Sequence, residues 1–218
     1  MSISVSTRVG RTRLAVVGAL LVLIALVAGV LLGRATDGGA AAPPSDTSAE
    51  AGFARDMQIH HSQAVDMAIL VRDATDDPEV RLLALDIMTG QSQQMGQMYA
   101  WLVSWNLPQT SRQQEMAWMA RPALDGAHDE HSDAHTPGEP MPGLATAAQM
   151  TALAASEGVE AERLFLELMT AHHLGGVEMA EAVLARSELT LVTNLATGMA
   201  KLQAKEVDYM RDLLDARS

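Results

Sequence analysis

The sequence contains no cysteine, and this absence removes several classes of site. Without thiols the chain has no disulfide, no zinc ribbon, no thiolate nucleophile and no iron–sulfur cluster. Aromatic residues are also scarce, at 3% of 218 residues, whereas methionine occurs 14 times. Any ligand for a soft metal must therefore be a thioether or an imidazole.

Basic residues are few, with 15 Lys and Arg against 27 Asp and Glu and a net charge of −12. Residues 1–34 contain arginines and no acid, so the rest of the chain is more acidic still. Nucleic-acid binding needs clustered Lys and Arg, and this composition therefore argues against nucleic acid as a partner. An acidic surface instead attracts cations.

The N-terminal region has the pattern of a membrane anchor. Residues 14–32 carry no charge, and about 20 such residues suffice for a helix to cross a bilayer. We predict a basic cytoplasmic tail at 1–13, a transmembrane or signal-anchor helix at 14–33 and a flexible linker at 34–49. The preceding arginines place everything after the helix outside the cytoplasm. A cleaved signal peptide and a secreted protein are the alternative, since the small residues at 40–42 would suit cleavage.

The remaining domain, residues 50–218, contains an internal repeat. The register continues beyond the first motif, because Gln91, Gln94 and Met98 are matched by Gln203, Glu206 and Met210. A gap-free register of this length indicates a duplicated unit of two helices. The residues of the first motif are Phe53, Met57, His60, His61, Val65, Met67 and Ala68, and they recur as Phe165, Met169, His172, His173, Val177, Met179 and Ala180.

Apolar residues in both units step by three or four positions, which is typical of amphipathic helices and excludes strands. We predict a first helix that ends at Asp76-Asp77-Pro78. The other helices are predicted from about Glu79 to Trp105, Ser156 to Arg186 and Leu189 to Asp215. The fold class is thus all-α, with two duplicated hairpins forming a four-helix bundle. The proline-rich stretch 107–145 is predicted to be a surface loop, with at most a short helix at 113–119.

The segments Phe53–Ala68 and Phe165–Ala180 resemble the two hallmark helices of the family called domain of unknown function 305. Met141–Thr146 resembles the family's approach to its second half, and the similarity covers residues 51–216. The resemblance implies a secreted or membrane-anchored ferritin-like four-helix bundle, with copper binding through His and Met in some members and no settled activity. Gly175-Gly176 replaces Gln63-Ala64 in the second unit, so the two halves are not expected to be equivalent.

The histidines are the strongest candidates for metal ligands. Adjacent residues on a helix point about 100° apart, so each His doublet should direct one ring to the core and one to a helix seam. Met57 and Met169 precede the doublets by one turn. Imidazole with thioether favours copper, as Cu(I) or Cu(II), with zinc as the second candidate. The seven histidines form three groups, namely His60-His61, His172-His173, and the loop residues His128, His131 and His135.

We predict metal ligation by the two doublets with Met57 and Met169, and a weak metal site in the histidine loop. Four residues of the second helices are predicted to hydrogen bond to the rings across the bundle, namely Gln91, Gln94, Gln203 and Glu206. A purely structural layer of His, Gln and Glu is the alternative for the same residues.

These patterns favour an extracytoplasmic metal-binding protein, with copper buffering, delivery or resistance as its role. The alternative is a membrane-anchored accessory or scaffold subunit of a membrane protein complex, or a homo-oligomer, with a structural His layer. An enzyme is not favoured: the core has no Glu-x-x-His pair for a di-iron centre, and the chain has no nucleophile elbow, P-loop or zinc-protease motif.

Overall fold

The computed structural model describes residues 26–28, 42–126 and 137–217, and it contains no strand within these ranges. Residues 1–43 and 44–218 are separate units. Of the predicted membrane anchor at 14–33, only 26–28 are described, and they are helical. No helix among the described residues is both long enough and apolar enough to span a bilayer.

Five helices are described within the second unit, and the four long ones match the predicted hairpins to within a few residues at most of their ends. The short third helix was not predicted. It begins where Thr146 and Gln149 form a reciprocal capping box, and its Leu153 is buried. The helices are α1 (Ala49–Ala74), α2 (Pro78–Ser104), α3 (Ala147–Ala155), α4 (Gly158–Leu184) and α5 (Thr190–Asp215).

The helices pack as two hairpins, α1 with α2 and α4 with α5, and α1 packs against α4 between them. The start of α1 lies beside the end of α4, because Phe53 and Val183 share one hydrophobic cluster. Val71 and Phe165 share a second cluster at the other end. The prediction of an all-helical bundle is therefore confirmed, with its apolar core divided into two parts.

Polar contacts fix the turn of the first hairpin. At the α1–α2 turn, Asp77 accepts hydrogen bonds from two backbone N–H groups of the first turn of α2, at 3.0 and 2.9 Å. Arg217, just after α5, pairs with Asp77 at 3.0 Å and with the buried carboxylate of Glu162 at 2.6 Å. The turn of one hairpin is thus bonded to both helices of the other.

The connection between the hairpins is more than a surface loop. Residues 115–120 form turns rather than the short helix suggested by the sequence, and Met116, Trp118 and Met119 are buried in the cluster that contains Phe53. Trp118 follows Met116 by two positions, which is not a helical spacing, but the three side chains together cover the end of the bundle. The expectation of a surface loop is therefore wrong for this part of 107–145.

A buried carboxylate holds these turns in place. Asp56 accepts hydrogen bonds from the Met116 backbone N–H at 2.8 Å and from Trp118 Nε1 at 2.9 Å. The Trp118 ring also meets Phe53 edge to face, with the ring centroids 5.8 Å apart. Burial raises the pKa of Asp56 to about 6, although both hydrogen bonds favour the charged form.

Residues 141–145, which we call the crossing segment, lie across α1 and α4. The Gln63 side-chain amide donates to the Ala145 carbonyl at 2.8 Å and accepts from the Ala145 N–H at 2.7 Å. On α4 a Cβ atom at Gly175 would lie 2.1 Å from the Pro142 carbonyl oxygen. Gln63 and Gly175 occupy equivalent positions in the repeat. They differ because Gln63 binds the crossing segment, whereas Gly175 makes room for it.

We expect Gly175→Ala to reduce the free energy of unfolding by about 1–3 kcal/mol, because its methyl group would collide with a backbone carbonyl. Urea unfolding measures the change. The matched control is Gly198→Ala on α5, where nothing lies within 4 Å and the variant should be neutral or stabilised. Equal stability of the two variants would contradict the close approach.

Candidate metal site

The four histidines of the two doublets form one fully buried layer between the hydrophobic clusters. The rings of His60 and His172 meet across the α1–α4 contact, with their centroids 3.8 Å apart and their planes tilted by 36°. Within each doublet the centroids are 6.4 Å and 6.2 Å apart. The sequence left open whether the doublets meet, and the structure brings them together.

Each doublet divides its two rings as the helix geometry predicts. His60 and His172 face each other at the centre of the bundle. His61 turns towards Gln94 on α2, and His173 turns towards Glu206 on α5. One ring of each doublet therefore lies in the core and the other at the seam with its hairpin partner.

The hydrogen bonds of the four rings determine their tautomers. Every partner is a carbonyl, amide or carboxylate oxygen, which only accepts, so Nε2 carries the proton in each ring. In a neutral ring the Nδ1 atom then has a free lone pair, and none of the four Nδ1 atoms forms a hydrogen bond with the described chain. The four bonds are His60 to Pro142 O at 2.9 Å, His172 to His60 O at 2.8 Å, His61 to Gln94 Oε1 at 2.7 Å, and His173 to Glu206 Oε2 at 2.8 Å.

Burial also keeps three of these rings neutral. It lowers the pKa of His60 to about 4 and that of His61 to about 3, and it moves the pKa of His172 well below the ordinary value of 6.5. The neighbouring imidazoles lower these pKa values further, because a second positive charge in the layer would be repelled. At neutral pH the lone pairs of these rings are therefore not taken up by protons.

The two candidate thioethers are fully buried, but they lie on opposite sides of the layer. Met57 belongs to the cluster at the start of α1, and Met169 belongs to the other cluster. Each methionine precedes the second histidine of its own doublet by one helical turn. The structure thus places one sulfur-bearing side chain beside each doublet and does not bring the two sulfurs to a common point.

The four predicted hydrogen-bonding partners divide into two pairs. Gln94 and Glu206 contact the rings, as the sequence predicts. Gln91 and Gln203 are buried, but no bond to a ring is present; both side-chain polar atoms of Gln91 and the Oε1 atom of Gln203 have no partner among the described residues. The Gln203 oxygen lies 2.3 Å from where a Cβ atom of Gly176 would be, so that glycine makes room for a helix contact.

The predicted and the observed site differ in two further features, namely the loop histidines and one backbone acceptor. The loop residues His128, His131 and His135 lie outside the described residues, so the weak loop site stays a prediction. Sequence reasoning missed the Pro142 carbonyl, which accepts from His60, because a backbone acceptor in an aperiodic segment leaves no residue pattern. The Pro-Gly pair at 142–143 was the only available signal of a turn there.

The donor set fits a soft metal better than a hard one. In the described ranges, no three His, Asp or Glu side chains converge to form a metal site. The layer offers imidazole nitrogen with thioether sulfur nearby, and these donors suit copper. A site built here would combine few nitrogens with sulfur rather than surround the ion with carboxylates.

The fold and the layer define a class of helical bundle protein with paired buried imidazoles contributed by a repeated hairpin. Residues 50–214 match the family model described as "Domain of unknown function (DUF305)", and the chain belongs to this family. No curated protein matches the chain.

Solved structures agree with this assignment. A Streptomyces coelicolor family member described as secreted is 44% identical, with a TM-score of 0.69, and the match covers 79% of this chain and 96% of the other. A fragment of a Deinococcus radiodurans member is 30% identical, with a TM-score of 0.60 and coverage of 80% and 99%. The protein CopM, solved in a Cu(I)-bound form, shares the fold at 21% identity, with a TM-score of 0.56 and coverage of 79% and 96%.

We expect the buried layer to destabilise the fold in acid. Unfolded imidazoles take up protons near pH 6.5, whereas folded His60 and His61 do so near 4 and 3, so stability is lost as the pH falls through this window. The free energy of unfolding should decrease by roughly 2 kcal/mol or more between pH 7 and pH 5. Denaturant unfolding at several pH values measures it, and NMR titration should show these two rings neutral at pH 5.

The carboxyl of Asp56 supplies a control with the opposite sign. Its pKa of about 6 in the folded state exceeds the ordinary value of 3.8, so its proton uptake stabilises the folded protein as the pH falls towards 5. Asp56→Asn should therefore lose more stability than the unmodified protein over the same range. Imidazole titration near pH 6.5 in the folded protein would contradict the burial argument.

Proposed function

We propose that the protein binds copper outside the cytoplasm through the buried His layer, with Met57 and Met169 as sulfur ligands. The observation that supports this most strongly is the state of the four rings. Each Nε2 atom is held by an oxygen acceptor, and each Nδ1 atom is left unbonded in the interior. Histidines that bind metals are held in this way, with one nitrogen fixed by an acceptor and the other free for the ion.

A layer with only a structural role would use both nitrogens of each ring. A buried polar atom without a partner costs about 1–3 kcal/mol, and native interiors contain few such atoms. Here four unpaired nitrogens lie in one layer. This concentration favours metal binding over the structural alternative, in which Gln and Glu side chains would satisfy the rings completely.

The choice of copper rests on the donor types and on the fold. Thioether and neutral imidazole ligands favour Cu(I) over magnesium, calcium and manganese, and zinc is the second candidate. CopM, which shares the fold, has been solved with Cu(I), Cu(II) and silver bound. Within this site, the chain's own residues orient the rings and exclude water, and burial keeps the Nδ1 atoms of His60, His61 and His172 unprotonated at neutral pH.

The proposed location is extracytoplasmic. A family member that is 44% identical is described as secreted, and the N-terminal sequence of this chain has the charge and length of an anchor or signal. Buffering, delivery or resistance are the roles that suit a copper site in that compartment. The duplicated hairpin would then supply one imidazole pair and one thioether per copy in a ferritin-like arrangement.

We expect the purified full-length protein to bind Cu(I) through the layer, and His61→Ala and His173→Ala each to weaken affinity at least tenfold, which is about 1.4 kcal/mol. Competition with a chromogenic Cu(I) chelator measures affinity and stoichiometry. The comparison variant replaces the loop residues His128, His131 and His135 by alanine. If that variant lost copper while both layer variants kept it, the layer would not be the site.

We expect Met57→Leu and Met169→Leu to weaken Cu(I) binding by about tenfold, because the thioether is lost while the side-chain volume is nearly kept. The same titration measures this effect, with circular dichroism to verify the fold. The matched control is Met98→Leu, since Met98 is also fully buried in the cluster that contains Met57. Equal affinities in all three variants would remove the methionines from the ligand set.

A further inference from the structure

A small cavity lies between α2 and α5. It is next to the side of the His layer on which His61 and His173 bond to their partners. Its volume is about 20 Å³, enough for one water-sized particle. The side chains of Gln94 and Glu206, which hold His61 and His173, form part of its wall. One side chain therefore separates each of these rings from the cavity.

The cavity is lined by polar atoms that have no partner in the described structure. Gln91 and Gln203 are 5% and 3% exposed, and the duplication makes them equivalent positions on the two helices. Both amide atoms of Gln91 and the amide oxygen of Gln203 are unbonded. Such groups are costly in a dry interior, so their position at a water-sized cavity indicates that they bind whatever enters it.

The other approaches to the layer are closed within the described residues. The two hydrophobic clusters cover it towards both ends of the bundle. On the α1–α4 side, the crossing segment packs against Gly175, and its Pro142 carbonyl accepts from His60. The α2–α5 side is the remaining direction, and there the wall contains the amides of Gln91, Gln94 and Gln203 beside the apolar side chains of Ile87 and Leu202.

Charge at this cavity favours cations. Asp86 and Glu206 both contribute to its wall, and no Lys or Arg lines it. Carboxylates beside a narrow opening raise the local concentration of cations, and amide oxygens bind a cation without holding it as firmly as sulfur or imidazole would. A soft ion would therefore bind weakly here and move on to the rings.

From these observations the geometry points to an entry position for the metal ion. Resting on the proposed function, we infer that a copper ion is first held in the cavity by the oxygens of Gln91, Gln203 and Glu206. It then passes between the side chains of Gln94 and Glu206 to His61 and His173. A water molecule satisfies the two glutamine amides when no ion is present, and the ion displaces it.

The test separates the rate of loading from the strength of binding. In Gln91→Leu/Gln203→Leu the cavity loses its amide oxygens, while the proposed ligands are unchanged. Stopped-flow transfer of Cu(I) from a bicinchoninate complex to the full-length apo-protein should be at least fivefold slower, and the equilibrium stoichiometry should be unchanged. The matched control is Gln93→Leu, an exposed position on α2 outside the cavity, which should load at the normal rate.

A second variant and a melting measurement distinguish an effect on the cavity from a folding defect. In Gly176→Ala the new methyl group would displace the Gln203 amide, whose oxygen lies 2.3 Å from the methyl position, and loading should again be slower. The apo form of the double leucine variant should melt no lower than the unmodified protein, because buried amide atoms that lack a protein partner have been removed.

Each outcome bears on a different claim. Normal loading rates in both cavity variants, with stoichiometry intact, would overturn the entry position and leave the copper site standing. Loss of stoichiometry in the folded double variant would make Gln91 and Gln203 part of the final site and would also overturn it. Absence of Cu(I) binding by the unmodified protein would overturn the proposed function and the entry position together.

Discussion

One hydrogen bond per ring, donated by Nε2, fixes the buried imidazole layer, and the site depends on these four bonds. The acceptors come from the crossing segment, the α1 backbone, a side chain of α2 and a side chain of α5. No single helix could therefore orient its own histidines. The tautomer of every ring is set by tertiary structure, and the free nitrogens exist only when both hairpins and their connection are in place.

The apolar environment makes this constraint stronger. Because the two clusters close the layer from both ends, charged imidazoles are disfavoured, and His60 and His61 stay neutral far below the usual pH. The same burial keeps water away from the free nitrogens, so leaving them without a hydrogen bond costs free energy of folding. A bundle that holds four such rings gives up stability that ordinary apolar side chains would have supplied, which is typical of a functional site.

The sequence could predict the parts of the structure that follow from periodicity. Helical spacing gave the four long helices, and the repeat placed Gln94 and Glu206 at the same distance from their doublets, where both do contact a ring. The second helix of a short hairpin runs back along the first, so the register limits the ring partners to residues at the level of the doublet. The family assignment followed from the same repeated motif.

What the sequence could not predict lies in aperiodic segments and in contacts between the two hairpins. Met116 and Trp118 enter the core without helical spacing, and their position depends on the buried carboxylate of Asp56. The meeting of the two doublets depends on which helices are neighbours, which no local pattern encodes. Gln91 shares the register of a ring partner but lies at the cavity, because a side-chain direction is decided by packing.

The crossing segment has one further consequence, which concerns how the two halves can diverge. His60 is held by a carbonyl of the connection, whereas its counterpart His172 is held by helix backbone. Although this segment packs against both α1 and α4, a change in its length or composition therefore alters the acceptor of His60 directly and leaves the acceptor of His172 in place. A repeated hairpin can in this way give its two histidine pairs unlike surroundings through changes in the connection, without any substitution among the histidines themselves.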